Sequence, residues 1–230
     1  MSDLFELNER YGEMLDQGIG LSGEDQHFFI AGRVRHLVKR LGTEFRPRRI
    51  LDYGCHNGHT APYLEQAFPG AEVVGVDTAG SAVAWARSRY GSERIRFHAL
   101  HEMPALGPFD LCYTNGVFHH IPPAARPEAL RGIYDALAPA GVLALFENNP
   151  WNPGTRLVMS RIPFDRDAVT LAPPEARRLA REAGFDLRGP TRSLFYFPRV
   201  LGFLRFTEGW LEGAPLGAQY CVLAARGADR

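Results

Sequence analysis

The chain has 230 residues, with 26 Lys plus Arg balancing 26 Asp plus Glu, so no net field draws it to nucleic acid or to an anionic membrane. A chain of this length buries about 70–75% of its unfolded surface, enough for one large core, and no apolar run reaches the ~20 residues of a membrane span. Met1-Ser-Asp-Leu-Phe-Glu lacks a signal-peptide pattern, and Cys55, Cys112 and Cys221, odd in number and set in or beside predicted strands, are expected as reduced thiols in a cytoplasmic protein.

Residues 1–45 read as amphipathic helix, broken by Gly18-Ile-Gly-Leu-Ser-Gly23. Ser22 is expected to cap the next helix, where Phe28, Phe29, Val34, Leu37, Val38 and Leu41 recur at helical spacing. Strand and helix signals then alternate. Strands are expected near 49–53, 72–77, 95–99, 109–114 and 142–147, with helices near 60–68, 79–90 and 126–138. Alternation of this kind implies an α/β fold, a mainly parallel sheet with helices on both faces. The stretch 148–172 is one long interruption, and loops of that length in compact domains are usually functional. Pro173-Pro-Glu175 starts a helix that stops at Gly184. Phe185-Asp-Leu187, Phe195-Tyr-Phe197 and a last strand, Tyr220-Cys-Val-Leu-Ala-Ala225, follow, the last pair forming an antiparallel edge.

The run Arg49-Ile-Leu-Asp-Tyr-Gly-Cys-His-Asn-Gly58 is a buried strand that ends at Asp52 and turns through a glycine-rich loop. Past it, Glu72-Val-Val-Gly-Val-Asp77 ends on an acid. Glycines let the backbone approach a ligand, and the helix start behind them presents unpaired N–H groups. An acid at the tip of the second strand can accept both hydroxyls of a ribose. Together these features predict a site for an adenosine-containing cofactor. The dinucleotide pattern Gly-x-Gly-x-x-Gly is absent.

The loop resembles motif I of class I S-adenosylmethionine methyltransferases, Asp-x-Gly-x-Gly-x-Gly, at Asp52, Gly54 and Gly58, with His56 in place of the middle glycine. Phe109-Asp-Leu-Cys-Tyr-Thr-Asn-Gly-Val-Phe-His-His-Ile121 and Leu137-Ala-Pro-Ala-Gly-Val-Leu-Ala-Leu145 are similar to the fourth strand and the passage into the fifth strand of that family. Glu147-Asn-Asn-Pro-Trp-Asn-Pro153 with Phe164-Asp-Arg-Asp-Ala168 resembles one bacterial subgroup. The resemblance implies a Rossmann-like methyltransferase fold, a seven-stranded sheet with an antiparallel edge in a single domain. Residues 1–45 would be a helical lid, 46–147 the cofactor-binding core, and 148–230 a substrate-side loop and closing strands. It implies S-adenosyl-L-methionine as cofactor and S-adenosyl-L-homocysteine as product. Gly54 and Gly58, with Cys55 and His56, would pass under the methionine part, and Asp52 would support the loop. Asp77 would hold the ribose, Thr78 would lie by the adenine, Leu100 would be a further cofactor contact, and Asn115 would sit near the sulfonium. Arg33 is the candidate partner for the cofactor carboxylate. The family's usual adenine-binding acid after the third strand is replaced by a segment containing His101 and Glu102.

Methyl transfer from a sulfonium needs alignment above all, and a hydroxyl acceptor also needs its proton removed. His119 and His120, just after Asn115, are the candidate catalytic pair, with turn capping as the structural alternative for either. Their spacing matches no zinc motif, so no metal is expected. Tyr11, Glu147 and Asn148 are candidate substrate contacts. Phe195, Tyr196, Phe197, Phe203, Phe206 and Trp210 are expected as core, an apolar substrate wall being the other reading. The function expected is methylation of a small molecule, most readily at a hydroxyl oxygen. Carbon or nitrogen methylation of a quinone-like or amine metabolite, or cofactor binding without catalysis, are the alternatives. A monomer or homodimer is expected, with no nucleic-acid partner.

Overall fold

The computed structural model describes residues 8–165 and 168–227, with the backbone alone for 8–13. Five parallel strands, β1 (Arg49–Tyr53), β2 (Glu72–Asp77), β3 (Ile95–Ala99), β4 (Phe109–Asn115) and β5 (Leu137–Asn148), lie in the order β3-β2-β1-β4-β5. Two short strands, β6 (Asp186–Leu187) and β7 (Arg192–Leu194), both pair antiparallel with β8 (Gln219–Ala225), which pairs with β5 on its other side. The eight strands therefore fill seven positions. The aromatic segment 195–197 is not a strand: β7 ends at Leu194, and Phe195 turns away with a φ of 62°.

Both faces of the sheet are buried because successive side chains alternate. Leu51, Val74, Cys112, Leu143 and Leu145 point to one side, onto α6 (Arg126–Ala136) and α8 (Pro173–Glu182). Ile50, Val73, Leu111, Val142 and Phe146 point to the other, onto α2 (Gln26–Leu41), α3 (Ala61–Ala67) and α4 (Gly80–Tyr90). Ile30, Val34 and Leu37 of α2 belong to this core. Within the expected lid, Leu15, Ile19, Leu21 and Ser22, from α1 (Asn8–Ile19) and the turn after it, line a cavity. Cys55, Cys112 and Cys221 are buried free thiols, and no helix among the described residues is long and apolar enough to cross a membrane.

Two local expectations are corrected. Asp25, not Ser22, caps α2, accepting the Phe28 N–H at 2.8 Å. Gly23 adopts a left-handed φ of 78° that ends the preceding turn, so the last extended residue before the helix is Asp25. Ser22 instead donates to the Ile19 carbonyl at 2.6 Å and accepts from Glu24 N–H. The long interruption also holds a helix, α7 (Pro153–Arg161), whose N-cap Asn152 accepts the Thr155 N–H at 2.9 Å. Asn-Pro at that point is a helix-start signal, a cap followed by the residue suited to the first helical position.

Strand order reverses between β1 and β4, so the loops leaving their C-terminal ends diverge and leave a crevice. Gly58 is a tight point beneath it, with a φ of 70° and an added Cβ that would lie 2.6 Å from the Phe97 ring and 2.9 Å from Ala86 Cβ. Gly58→Ala should cost about 2–4 kcal/mol, combining the left-handed penalty with overpacking. Gly70→Ala, at φ 92° with nothing within 4 Å, should lose only the first part. Urea unfolding midpoints of the two variants measure the difference.

Candidate active site

The motif loop is held by its neighbours rather than by itself. Gly54 and Cys55 N–H both donate to the Val76 carbonyl, at 2.8 and 3.1 Å. A Cβ on Gly54 (φ 74°) would strike Val117 at 2.3 Å. His56 takes the left-handed conformation of the missing glycine, with a φ of 43°, and its N–H donates to Asp77 Oδ2 at 2.8 Å. Histidine is among the few side chains that tolerate that region. Asp77 Oδ1 accepts the Ala79 N–H at 2.9 Å, so this one carboxylate ties the loop to the start of α4.

A cavity of about 560 Å³ opens beside this loop, within the ~300–1,000 Å³ range of small-molecule sites. Of the sequence-predicted residues, Arg33, Asp52, Gly54, Cys55, His56, Asn115, His119, His120 and Asn148 line it. Gly58, Asp77, Thr78, Leu100 and Glu147 are not in its wall. The side chain of Tyr11 lies outside the described residues. Glu102 caps the turn after β3, accepting from Ala99 N–H and His98 Nδ1, and His101 is exposed.

At the strand tips two buried acceptors lack partners, Asp52 Oδ2 and Asn115 Oδ1. A buried unsatisfied acceptor costs about 1–3 kcal/mol, so a pair in one cavity marks a place for a donor ligand. Burial, then the charge of Asp77, pushes the Asp52 carboxyl up to about 7, with Arg33 opposing. Arg33 is itself buried; its Nε donates to Tyr113 Oη at 2.9 Å and its Nη1 to Gln219 Oε1 at 3.0 Å. Gln219 Nε2 donates in turn to Asn148 Oδ1 at 3.1 Å. An acid and a guanidinium side by side suit the ammonium and carboxylate of an amino-acid tail. Burial, then Asp52, holds the Cys55 thiol well above its usual range, so it stays neutral.

At and behind the wall, four residues from three segments meet, His119, His120 and Asp165 lining the cavity and Glu147 lying beneath. His119 Nδ1 donates to Glu147 Oε2 at 2.6 Å, and His119 Nε2 lies 3.4 Å from Asp165 Oδ1. His120 Nε2 lies 3.2 Å from the same oxygen. Burial disfavours a charged His119, but the Glu147 charge and then the bond to Asp165 outweigh it and raise its pKa to about 10. Burial likewise pushes the Asp165 carboxyl up, and its contacts with His119 and His120 overcome that and hold it below the usual range. His119 is thus a buried cation at neutral pH, unsuited to accept a proton. Glu147 is fully buried, with Oε1 accepting the Phe118 N–H at 2.7 Å, so the structure removes it from substrate contact. His119, His120 and Asp165 place three donor atoms within 4.8 Å of one another, spacing a divalent cation tolerates. Both nitrogens of His119 already face carboxylates, which accounts for the cluster as a proton-bridged network.

Asp165 has no role in the sequence reading, although the segment containing it stood out. Tyr113 and Gln219 were likewise missed. The remaining wall is mixed, with apolar Phe28, Phe29, Met159, Ile162, Phe164 and Phe195 beside polar Gln26, Asn57, Thr60 and Asn152. Phe195, Tyr196 and Phe197 line the cavity, whereas Phe203, Phe206 and Trp210 are exposed and are neither core nor wall.

A doubly wound α/β sheet with an acid-bearing glycine loop at its switch point defines a nucleoside-cofactor enzyme. A family model described as a methyltransferase domain matches residues 26–188, and the chain belongs to that family, within the S-adenosylmethionine-dependent class I fold. It is 33% identical over 153 residues to trans-aconitate 2-methyltransferase of Methylobacterium radiotolerans, covering 63% of this chain and 57% of that protein. It is 34% identical over 140 residues to demethylmenaquinone methyltransferase of Thermus thermophilus, covering 58% and 62%. The chain spans about half the length of the curated relatives it matches. A solved S-adenosylmethionine-dependent methyltransferase from Archaeoglobus fulgidus shares the fold at a TM-score of 0.65 and 16% identity, over 87% of this chain and 95% of that one.

Two outcomes follow from the charges. The raised pKa of His119 lies above its ordinary 6.5, so its stabilisation is whole below that pH and is lost as pH rises towards about 10. His119→Gln should lower stability by about 3 kcal/mol or more at neutral pH, because two carboxylates lose their cation. The gap from wild type should narrow in thermal scans as pH approaches 10. Asp52 has the opposite sign: its folded pKa of about 7 exceeds 3.8, so its charge destabilises the free protein increasingly above pH 3.8. Asp52→Asn should raise the melting temperature at alkaline pH, by less as pH falls, while weakening S-adenosylmethionine about tenfold or more in calorimetry. A variant that binds as tightly as wild type would remove Asp52 from the cofactor site.

Proposed function

We propose that the chain methylates a hydroxyl oxygen of an apolar small molecule. The observation that carries this reading is the His120–Asp165 contact in the cavity that also holds the unsatisfied Asp52 and Asn115 oxygens. When bound, S-adenosylmethionine supplies a methyl group on a cationic sulfur that departs as a neutral thioether. Asp52 would accept from its ammonium, Arg33 would face its carboxylate and Asp77 its ribose. Asn115 lies between that end and the histidines. Ionised Asp165 orients the His120 ring through its contact with Nε2, and His120 is the proposed acceptor of the hydroxyl proton. His119, already charged, holds Asp165 in place.

The wall chemistry narrows the acceptor. Arg33 is committed to Tyr113 and Gln219, and Arg205 pairs with Glu24 at 2.9 Å. With both arginines and the His119 cation engaged by the protein's own groups, and Phe28, Phe29, Phe164 and Phe195 in the wall, a polyanion such as trans-aconitate is a poorer fit than a quinone-like molecule. Asn148 and Gln219 offer the polar contacts. Carbon or nitrogen methylation needs no base, and a non-catalytic cofactor binder would tolerate loss of either His120 or Asp165.

His120→Ala and Asp165→Asn should each lower methyl transfer to an apolar phenolic acceptor by about 10²–10⁴-fold while leaving S-adenosylmethionine affinity nearly unchanged. Transfer of radiolabelled methyl, with parallel calorimetry, checks both, and a chelator should not alter the rate. If neither substitution slows transfer, His120 is not the base.

A further inference from the structure

A second cavity, of about 380 Å³, lies between α8, β7 and the turns that carry Trp151 and Pro215. It shares no lining residue with the first, and its volume falls within the ~300–1,000 Å³ range of small-molecule sites. Trp151 and Asn152 adjoin in sequence yet line different cavities, Trp151 the second and Asn152 the first.

The charged residues in this second wall are both arginines, Arg177 and Arg181. They stand four apart on α8, a spacing that brings like charges together at a cost. Burial, then the charge of Arg181, lowers the pKa of Arg177 from its ordinary value. Arg177 Nη1 donates to the Gly189 carbonyl at 2.8 Å, while the Arg181 side chain makes no hydrogen bond or ion pair among the described residues. No acid in the wall answers them. Glu175 and Glu182 of α8 pair with Arg126 and Arg178, Glu212 pairs with Lys39, and neither these nor Asp186 of β6 lines the cavity. Thr191 Oγ1, from the same wall, is buried without a partner. Half-exposed Trp151, with Pro173 and Pro215, supplies an apolar side.

We propose that this second cavity binds a small organic oxyanion, a phosphate or carboxylate carried on a flat apolar body. Two guanidiniums offer forked donors that match either head group, and an oxyanion between them would relieve their repulsion. The Thr191 hydroxyl is a further donor, and the Trp151 indole offers a face for the body. A merely solvated pair of arginines has the same spacing, but it does not bring an orphaned hydroxyl and an indole to the same wall. The site does not depend on the proposed methyl transfer.

Calorimetric titration of the full chain with phenyl phosphate, benzoate and inorganic phosphate tests it. Binding of phenyl phosphate or benzoate at millimolar concentration or below supports the site, and the tighter of the two identifies the head group. Arg177→Gln with Arg181→Gln should weaken that probe about tenfold or more. Arg181→Gln alone, which breaks no contact, should weaken it severalfold without lowering the melting temperature. Trp151→Ala should weaken the aryl probes but not inorganic phosphate. Titrations with and without S-adenosylhomocysteine should agree, because the two cavities share no residue. Melting temperatures report that each variant is folded. Failure of both aryl probes to bind, equal binding by the double variant, or displacement by S-adenosylhomocysteine overturns the proposal. Anion binding in a chain that ignores S-adenosylhomocysteine would sink the enzymatic reading alone.

Discussion

The wall of the cavity depends on one buried cation. His119 joins the turn after β4, the end of β5 through Glu147, and the segment after α7 through Asp165, three stretches remote in sequence. Backbone contacts reinforce the join: Val169 N–H donates to the His119 carbonyl at 3.0 Å, and buried Arg126 donates to the carbonyls of Phe118, Ile121 and Val169. Two carboxylates brought out of water are tolerable only with matched charge and full hydrogen bonding. Removing the imidazolium would leave like charges facing each other. The segment carrying Phe164 and Asp165 would then lose its anchor, and with it the side of the cavity that faces His120.

The strand tips show the opposite arrangement, where satisfaction is withheld. Asp52 sits in the β1 register opposite Gly75 and Tyr113, far enough inside the sheet to be buried and just short of the loop. Its Oδ2 and the Asn115 Oδ1 receive nothing from the protein. Such groups lower the stability of the free chain, and natural proteins keep local violations of this kind chiefly where a ligand completes them. The free protein is therefore less stable than its sheet would allow, and part of that deficit lies at the site.

Much of this was legible in the sequence because it is local. The strand endings, the glycine loop, Asp77 and Asn115 depend on a few adjacent residues and on the alternation of strand with helix. Asp165 was not legible, because nothing in its own segment says that His119, 46 positions earlier, will lie beside it. Glu147 was misread for a related reason. A strand-end acid can face the crevice or turn under the neighbouring loop, and only the position of the Phe118 N–H decides. Phe203, Phe206 and Trp210 were misread because large aromatic residues are usually buried, and residue type alone does not say which of them face outward.

Adjacent histidines thus come to do different work without any difference in residue type. His119 is enclosed by two carboxylates and carries a fixed charge; His120 touches one of them and reaches the cavity. The same carboxylate serves both, facing the His119 cation on one side and the His120 ring on the other. Acid and base roles are set by pushing the proton affinities of neighbouring groups apart. Here the charge on His119 comes from the two carboxylates that enclose it, against the cost of burial, and the segment after α7 carries one of them, so the charge and the shape of the acceptor cavity are fixed by the same few contacts.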